Sequence, residues 1–157
     1  MFKTIIWATD GSEAADLALP YAKSLAGGAG RRLVVVHCNE LLVGRAGGAP
    51  LIANEPDVET RIRGQVDAML QGGVEVMFRL VSAAAPSAAH AIADVARDVE
   101  ADVIVVGTHG HRPIAGLLLG SVTQRLLHIA PCPVLAVPAT KTARAYERER
   151  AIAVPTA

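Results

Sequence analysis

Two runs in this chain, Leu33-Val34-Val35-Val36 and Val103-Ile104-Val105-Val106, are apolar at every position. Successive side chains of a strand point to opposite faces, so a run without polar alternation suits a strand covered on both sides. Three further segments read as strands: Lys3 to Ala8, the more alternating Val74 to Val81, and Pro133 to Val137. The full second and fourth strands are read as Arg32 to Cys38 and Val103 to Val106. Between them, apolar residues recur at three and four positions. Ala14, Leu17, Ala18, Tyr21, Ala22 and Leu25 form one such series, and Val58, Ile62, Val66, Met69 and Leu70 a second. Ala88, Ala91, Ile92, Val95, Ala96 and Val99 form a third. A last helix is expected from Ser121 to Ala130, burying Val122, Leu126 and Ile129, with Pro131 stopping it. Strands alternating with helices imply right-handed crossovers and one α/β domain, a parallel sheet with helices on both faces.

Pro20 falls inside the first helical series, where it lacks a donor and crowds the carbonyl of Asp16. A kinked helix is expected there. Gly44 to Pro56, rich in Gly, Ala and Pro, reads as a long mobile loop. The tail from Ala139 to Ala157 carries Lys141, Arg144, Glu147, Arg148, Glu149 and Arg150, with no apolar stripe before Ile152, and reads as solvated and flexible.

The composition agrees with this fold and removes several functions. A chain of 157 residues fits one domain. With 52% hydrophobic and 19% charged residues it can bury a core, and with only 3% aromatics that core is built of Val, Leu, Ile and Ala. Fifteen basic and fifteen acidic side chains leave no net charge. That balance argues against nucleic acid and against an anionic membrane surface as partner. No apolar run approaches the ~18 residues of a membrane span. The first apolar stretch is short and ends at Asp10, unlike a signal peptide, so the cytoplasm is the expected compartment. Cys38 ends the second strand and Cys132 begins the fifth. In a parallel sheet those are opposite ends, too far apart to bridge, so two free thiols are expected.

Two features can carry chemistry. Gly107-Thr108-His109-Gly110, nine residues, then Gly120-Ser121 follows the fourth strand and opens the last helix. Glycines let a backbone turn sharply and approach a ligand. Ser121 can cap the helix, and the free amides at a helix start favour an anion such as phosphate. The same residues also suit an ordinary strand-to-helix loop. Thr9-Asp10-Gly11-Ser12 follows the first strand. Asp10 can accept from ribose hydroxyls or hold a phosphate-bound metal; equally, Asp10 or Ser12 can cap the first helix. His109 and His111, one residue apart, suit two metal ligands, but no third is evident nearby. His37, His90 and His128 lie within strands or helices and read as structural.

Taken together, Ala8-Thr9-Asp10-Gly11-Ser12, Val36-His37-Cys38, Val106-Gly107-Thr108-His109-Gly110, Gly120-Ser121-Val122 and Pro131-Cys132-Pro133-Val134-Leu135 resemble the universal stress protein family, over roughly residues 1–138. The Gly-x-x-Gly-x9-Gly-Ser spacing resembles that of its ATP-binding branch. The resemblance implies a single open five-stranded parallel sheet in order 3-2-1-4-5, of the adenine nucleotide alpha hydrolase-like class. It implies ATP as ligand, with Mg as an associated ion. The adenine edge would meet the backbone near Cys38, Ala8, Thr9 and Asp10 would lie by the nucleoside, and Val106 and Gly107 would flank the ribose. Thr108, Gly110, His111, Arg112, Gly120, Ser121 and Val122 would complete the phosphate side. Arg112 suits either a phosphate contact or an exposed loop. Ala84-Ala85-Pro86 stands where the family often has a Gly-containing turn. Many members dimerise through the fifth strand, here Pro133 to Val137, whose residues 134–137 carry no charge.

An independent rule agrees with that order. Ligands of open parallel sheets bind beyond the carboxyl ends of the strands where the order reverses. The reversal falls between the first and fourth strands, which end at Asp10 and at the Gly107 loop. Three functions fit such a crevice: an ATP-binding stress or signalling module, a nucleotide hydrolase or transferase, and a nucleotide-independent interaction protein. The loop lacks the Gly-Lys-Ser/Thr of a P-loop enzyme, and the chain's lysines are Lys3, Lys23 and Lys141. With no positioned lysine and no evident general base, binding is favoured over turnover.

Overall fold

The two all-apolar runs lie in the sheet's interior, as their burial on both faces requires. The structure, a computed structural model, describes residues 2–42, 51–52, 56–84, 87–109 and 119–139. Its elements are β1 (Thr4–Thr9), α1 (Glu13–Asp16), α2 (Leu19–Ala26), β2 (Arg32–Leu42), β3 (Leu51–Ile52), α3 (Pro56–Gln71), β4 (Val76–Ala84), α4 (Ala88–Asp98), β5 (Val103–Gly107), α5 (Ser121–Ile129) and β6 (Val134–Val137). Five strands run parallel in the spatial order β4-β2-β1-β5-β6. Counted without the two-residue β3, that is the expected order 3-2-1-4-5.

Alternation along the central strands builds two apolar layers. Ile5 and Trp7 of β1 join Leu33, Val35, Val103 and Val105 under α2 and α3, where Ala22, Ile62 and Val66 close the layer. Ile6 and Ala8 join Val34, Val36, Ile104 and Val106 under α4 and α5, against Ile92, Ala96 and Leu126. Every residue of β1 and β5 is buried. Trp7 is fully buried, and its indole N–H donates to the carbonyl of Ala15 at 3.2 Å, so the largest core side chain leaves no donor unsatisfied. No helix among the described residues is long and apolar enough to cross a membrane.

The expected kinked helix is instead two helices. α1 stops at Asp16 and α2 restarts at Leu19, with Pro20 in its first turn. A proline there removes no helical hydrogen bond, because the first amides of a helix have no intrahelical acceptor. Breaking the helix therefore costs less than carrying the proline through its middle. The second and third strands run past their expected ends, to Leu42 and Ala84, because they pair together from Leu33↔Val76 to Leu41↔Ala84. The expected Gly44–Pro56 loop contains β3, which pairs antiparallel with the end of β2, and α3 already begins at Pro56. The remainder of that segment and the tail after Ala139 lie outside the described residues. Neither Cys38 nor Cys132 is in a disulfide, as expected.

Candidate functional site

The carboxyl ends of β1, β2 and β5 define a crevice. β1 is flanked by both neighbours, with Thr9 opposite His37 and Ala8 opposite Val106. β1 then stops, while β2 continues five residues beyond His37. Among the described strands, β1 pairs with this edge of β2 as far as His37, and the antiparallel β3 pairs with it at Leu41. Backbone groups along a parallel strand point alternately to its two sides. Arg32 N–H donates to Lys3 C=O on the β1 side and Leu33 N–H to Glu75 C=O on the β4 side. The same alternation turns the backbone of Cys38 toward the β1 edge, at the mouth of the crevice.

The turn after β1 is set by short-range polar contacts. Thr9 Oγ1 accepts from Gly11 N–H at 3.0 Å. Asp10 Oδ1 accepts from the Ser12 amide at 3.0 Å and from the Ser12 hydroxyl at 2.6 Å, and Ser12 Oγ in turn accepts from Ala15 N–H at 3.1 Å. Ser12 is thus the cap of α1, and Asp10 positions the cap. His37 Nδ1 lies 2.9 Å from the carbonyl of Thr9, both buried. A carbonyl only accepts, so Nδ1 carries the proton and His37 ties β2 to the end of β1. Gly11 has φ +77, and a Cβ there would meet Val58 Cγ1 at 2.5 Å. Arg61 fastens α3 over this turn, donating to the Gly11 carbonyl and to Asp16 Oδ2.

The other wall follows β5. The Gly120 amide donates to the Thr108 carbonyl at 2.6 Å, which brings the start of α5 back to the end of β5. Thr123 Oγ1 donates to the buried Gly107 carbonyl at 2.7 Å. Thr108 N–H donates to Val137 C=O at 2.8 Å, and its hydroxyl oxygen lies 3.0 Å from His109 Nδ1 and accepts from Ala139 N–H at 3.4 Å. Gly107 serves close packing: a Cβ there would lie 2.9 Å from Ala14 O and 3.2 Å from Ala15 Cα. The approach this glycine permits is to the backbone of α1. The expected Ser121 cap is not formed. Gly120 is the N-cap and has no side chain to cap α5, and Ser121 is its exposed first residue. Among the described residues, the first-turn amides of α5 therefore have neither an intrahelical acceptor nor a capping side chain.

The predicted site residues fall into three groups. Asp10, Cys38, Gly120 and Val122 are half-buried around the crevice, with Ser121 exposed beside them. Ala8, Thr9, Val106, Gly107 and Thr108 are buried, so Ala8 and Val106 place their side chains in the α4/α5 layer rather than toward a ligand. Gly110, His111 and Arg112 lie outside the described residues. His37 is structural, whereas His90 and His128 are exposed on helix surfaces. Among the described residues no group of three or more His, Cys, Asp or Glu side chains is arranged to hold a metal. Asp102 and Cys132, whose ionisation the fold perturbs, stand at the opposite end of the sheet, just before β5 and β6. The Thr4 and Lys3 amides hold the Asp102 carboxyl below its ordinary range. Burial, with the charge of Asp102, pushes the Cys132 thiol up. Sequence reasoning missed Thr123 and Arg61, whose roles depend on packing between elements and left no local signal.

An open α/β domain with its crevice at a strand-order reversal is the class of molecule these features define. The chain matches the model of the universal stress protein family over residues 1–138, and it belongs to that family. It is 39% identical over 145 residues to the Thermus aquaticus universal stress protein in the QAH/OAS sulfhydrylase 3' region, covering 87% of this chain and 99% of that one. It is 26% identical over 157 residues to universal stress protein MJ0577 of Methanocaldococcus jannaschii, covering 87% and 95%. A solved structure of MJ0577 shares the fold with a TM-score of 0.64 at 22% identity, over 89% of this chain and 98% of that one. A universal stress protein solved in complex with cAMP matches with a TM-score of 0.65 at 26% identity, over 88% and 98%.

Proposed function

We propose that this protein is an ATP-binding stress-response or signalling module whose hydrolysis of ATP is slow or absent. The observation that carries the reading is the Gly120–Thr108 hydrogen bond, which sets uncapped α5 amides at the end of β5, beside the turn that follows β1. The adenine would sit against the Cys38 backbone, the ribose near Asp10 and Gly107, and the phosphates at Gly120, Ser121 and Val122. Gly110, His111 and Arg112 would complete the phosphate side, and Mg would accompany the phosphates. From β2 to β5 is two strand spacings, about 10 Å, a distance a nucleotide can cover along the sheet edge. The relative in complex with cAMP supports an adenine nucleotide as ligand class. Slow turnover follows from the missing P-loop lysine and from Asp10, whose Oδ1 is already held by Ser12.

Assembly and location belong to the same proposal. β6 is the last strand of the sheet, it carries no charge, and Leu135 is 38% exposed on it. Edge strands are usually protected, so a two-fold pairing through Pro133–Val137 would close this one. Two cysteines outside any disulfide fit a reducing cytoplasm.

The test is identification by mass spectrometry of the nucleotide retained by natively purified protein, followed by calorimetric titration with ATP and cAMP. Gly120 has φ −65 and ψ 154, a conformation open to any residue, so Gly120→Val leaves the backbone unstrained while placing a side chain at the anion position. The variant should fold and bind ATP at least tenfold more weakly. Equal affinity in a folded Gly120→Val protein would remove the site. Tighter binding of cAMP than of ATP would replace the ligand.

A further inference from the structure

The sheet has a second edge at β4. Among the described strands β4 pairs with β2 alone, and it is 9 residues long against the 4 of β6. Natural edge strands are usually blunted by proline, lysine or a bulge. β4 has no proline or lysine from Val76 to Ala84, and its ladder with β2 is unbroken from Leu33↔Val76 to Leu41↔Ala84. Leu33 N–H donates to Glu75 C=O, so by alternation the backbones of Val76, Phe78 and Leu80 face away from β2. α3 covers the Phe78 side of the strand, with the Arg63 guanidinium 4.9 Å from the ring centroid. On the other side Glu75, Met77 and Arg79 form a row, and all three are exposed. Met77 and Leu80 are two of the few large apolar side chains left exposed among the described residues. Among those residues neither Glu75 nor Arg79 has an ion-pair partner.

We propose that β4 is a docking edge for a second copy of this chain, pairing antiparallel with that copy's β4 about a two-fold axis at Met77. The strand is complementary to itself in that register. Glu75 lies opposite the second copy's Arg79, and Arg79 opposite its Glu75, on either side of the two Met77 side chains. On the α3 side Val76 lies opposite Phe78, and Val74 opposite Leu80. Moving the axis to Val76 or Phe78 sets both charges opposite uncharged residues, and moving it to Glu75 or Arg79 sets like charges together. Val76 and Phe78, whose backbones face outward, exchange the ladder hydrogen bonds. Glu75, Met77 and Arg79 then fall in the non-hydrogen-bonded pairs, where side chains approach most closely. Opposite charges directly across two strands attract and like charges repel, and the two-fold axis makes each pair occur twice. One strand edge buries less than a standard interface, so this contact is weak, dissociated at micromolar concentration and formed toward the millimolar range. With β6 paired at the opposite edge, it would join dimers end to end.

Sedimentation equilibrium of Leu135→Lys protein, in which pairing through β6 is blocked, tests this at concentrations up to roughly 1 mM. Its mass should rise from that of a monomer toward that of a dimer. Glu75→Arg and Arg79→Glu, each added singly, should weaken the association at least about tenfold, because two attractive pairs become two repulsive ones. Glu75→Arg combined with Arg79→Glu restores opposite charges and should return the affinity to within about threefold of the parent. Both positions are exposed, so unchanged urea midpoints should show that each variant is folded. Met77→Cys sets two thiols across the axis, with Cα atoms about 4.5 Å apart, within disulfide reach. Mild oxidation at high concentration should therefore link that variant into a covalent dimer. Ser82→Cys, beyond the paired residues, and the parent with only Cys38 and Cys132 should stay unlinked. A Leu135→Lys protein that is monomeric throughout would overturn the proposal. So would single variants that associate as tightly as the parent, a double variant no tighter than the singles, or equal cross-linking at residues 77 and 82.

Discussion

Replacing Gly107 by alanine tests whether the crevice is held by backbone contact. The added Cβ would lie 2.9 Å from Ala14 O, 3.2 Å from Ala15 Cα and 3.2 Å from His109 O. All three are main-chain atoms, so no flexible side chain can swing away. Either β5 or α1 must move by several tenths of an ångström. α1 is not free to move, because the Ala15 carbonyl accepts from buried Trp7 and Ser12 is held by Asp10. Overpacking of this kind costs about 1–3 kcal/mol. The lower entropy of the unfolded alanine chain offsets about 0.4–1 kcal/mol. The net loss of about 1–2 kcal/mol corresponds to a fall in Tm of about 2–8 °C for a chain of this length. Gly64→Ala is the control. A Cβ at Gly64 meets nothing within 4 Å, and the position is inside α3, so alanine should stabilise by about 0.5–1 kcal/mol. Urea unfolding of the wild type and both variants, with the slope unchanged, measures the two effects. A Gly107→Ala protein as stable as the wild type, beside a stabilised Gly64→Ala, would refute the argument that Gly107 exists for close packing.

Three further outcomes are expected. Asp102 accepts from the Lys3 and Thr4 amides at 2.7 and 2.8 Å, which lowers its pKa, so its stabilising effect is present above the unfolded value near 3.8 and is lost as the pH falls through the folded value. Asp102→Asn should therefore be less stable than the wild type at pH 7, with the gap closing below about pH 4; a gap constant from pH 7 to pH 3 in urea midpoints contradicts this. Leu135→Lys should convert a dimer to a monomer by light scattering at micromolar concentration, and a wild type already monomeric there removes the β6 interface. Phosphate release by ATPase-free protein should be far slower than the ~1–1,000 turnovers per second of typical enzymes, and a rate near one per second would make the protein an enzyme.

The central sheet was legible because its signal is local. Leu33 to Val36 and Val103 to Val106 are apolar at every position, and only burial on both faces accommodates them. Strand ends were not legible, because they depend on partners. β2 runs to Leu42 since β4 accompanies it to Ala84, and no property of residues 39–42 alone announces that pairing. Pro20 was read correctly as incompatible with a helix interior, but whether the chain kinks or restarts depends on how α2 packs, with Ala22 and Ala26 buried against the sheet. Ser121 carried the right residue type for a cap one position too late; Gly120 takes the cap because its amide is drawn to Thr108. Helix boundaries of one residue are beyond what residue preference resolves.

The conserving of side chains for the fold explains why the crevice looked richer in sequence than it is in structure. Thr9, Ser12, Thr108 and Thr123 all bring hydroxyls to the neighbourhood of the crevice. Yet Thr9 Oγ1 accepts from Gly11, Ser12 links Asp10 to α1, Thr108 meets His109 and Ala139, and Thr123 holds the Gly107 carbonyl. Each of these fixes the position of a backbone group at the crevice. Under the proposed function, ligand recognition on such a frame would fall mainly to main-chain atoms, the Cys38 edge at one end and the α5 amides at the other. Backbone donors and acceptors can orient a ring and neutralise an anion, but a peptide edge offers the same pair of groups whatever the residue. Discrimination between bases that differ at one exocyclic atom then needs a side chain with a fixed polarity, in a place where water does not compete.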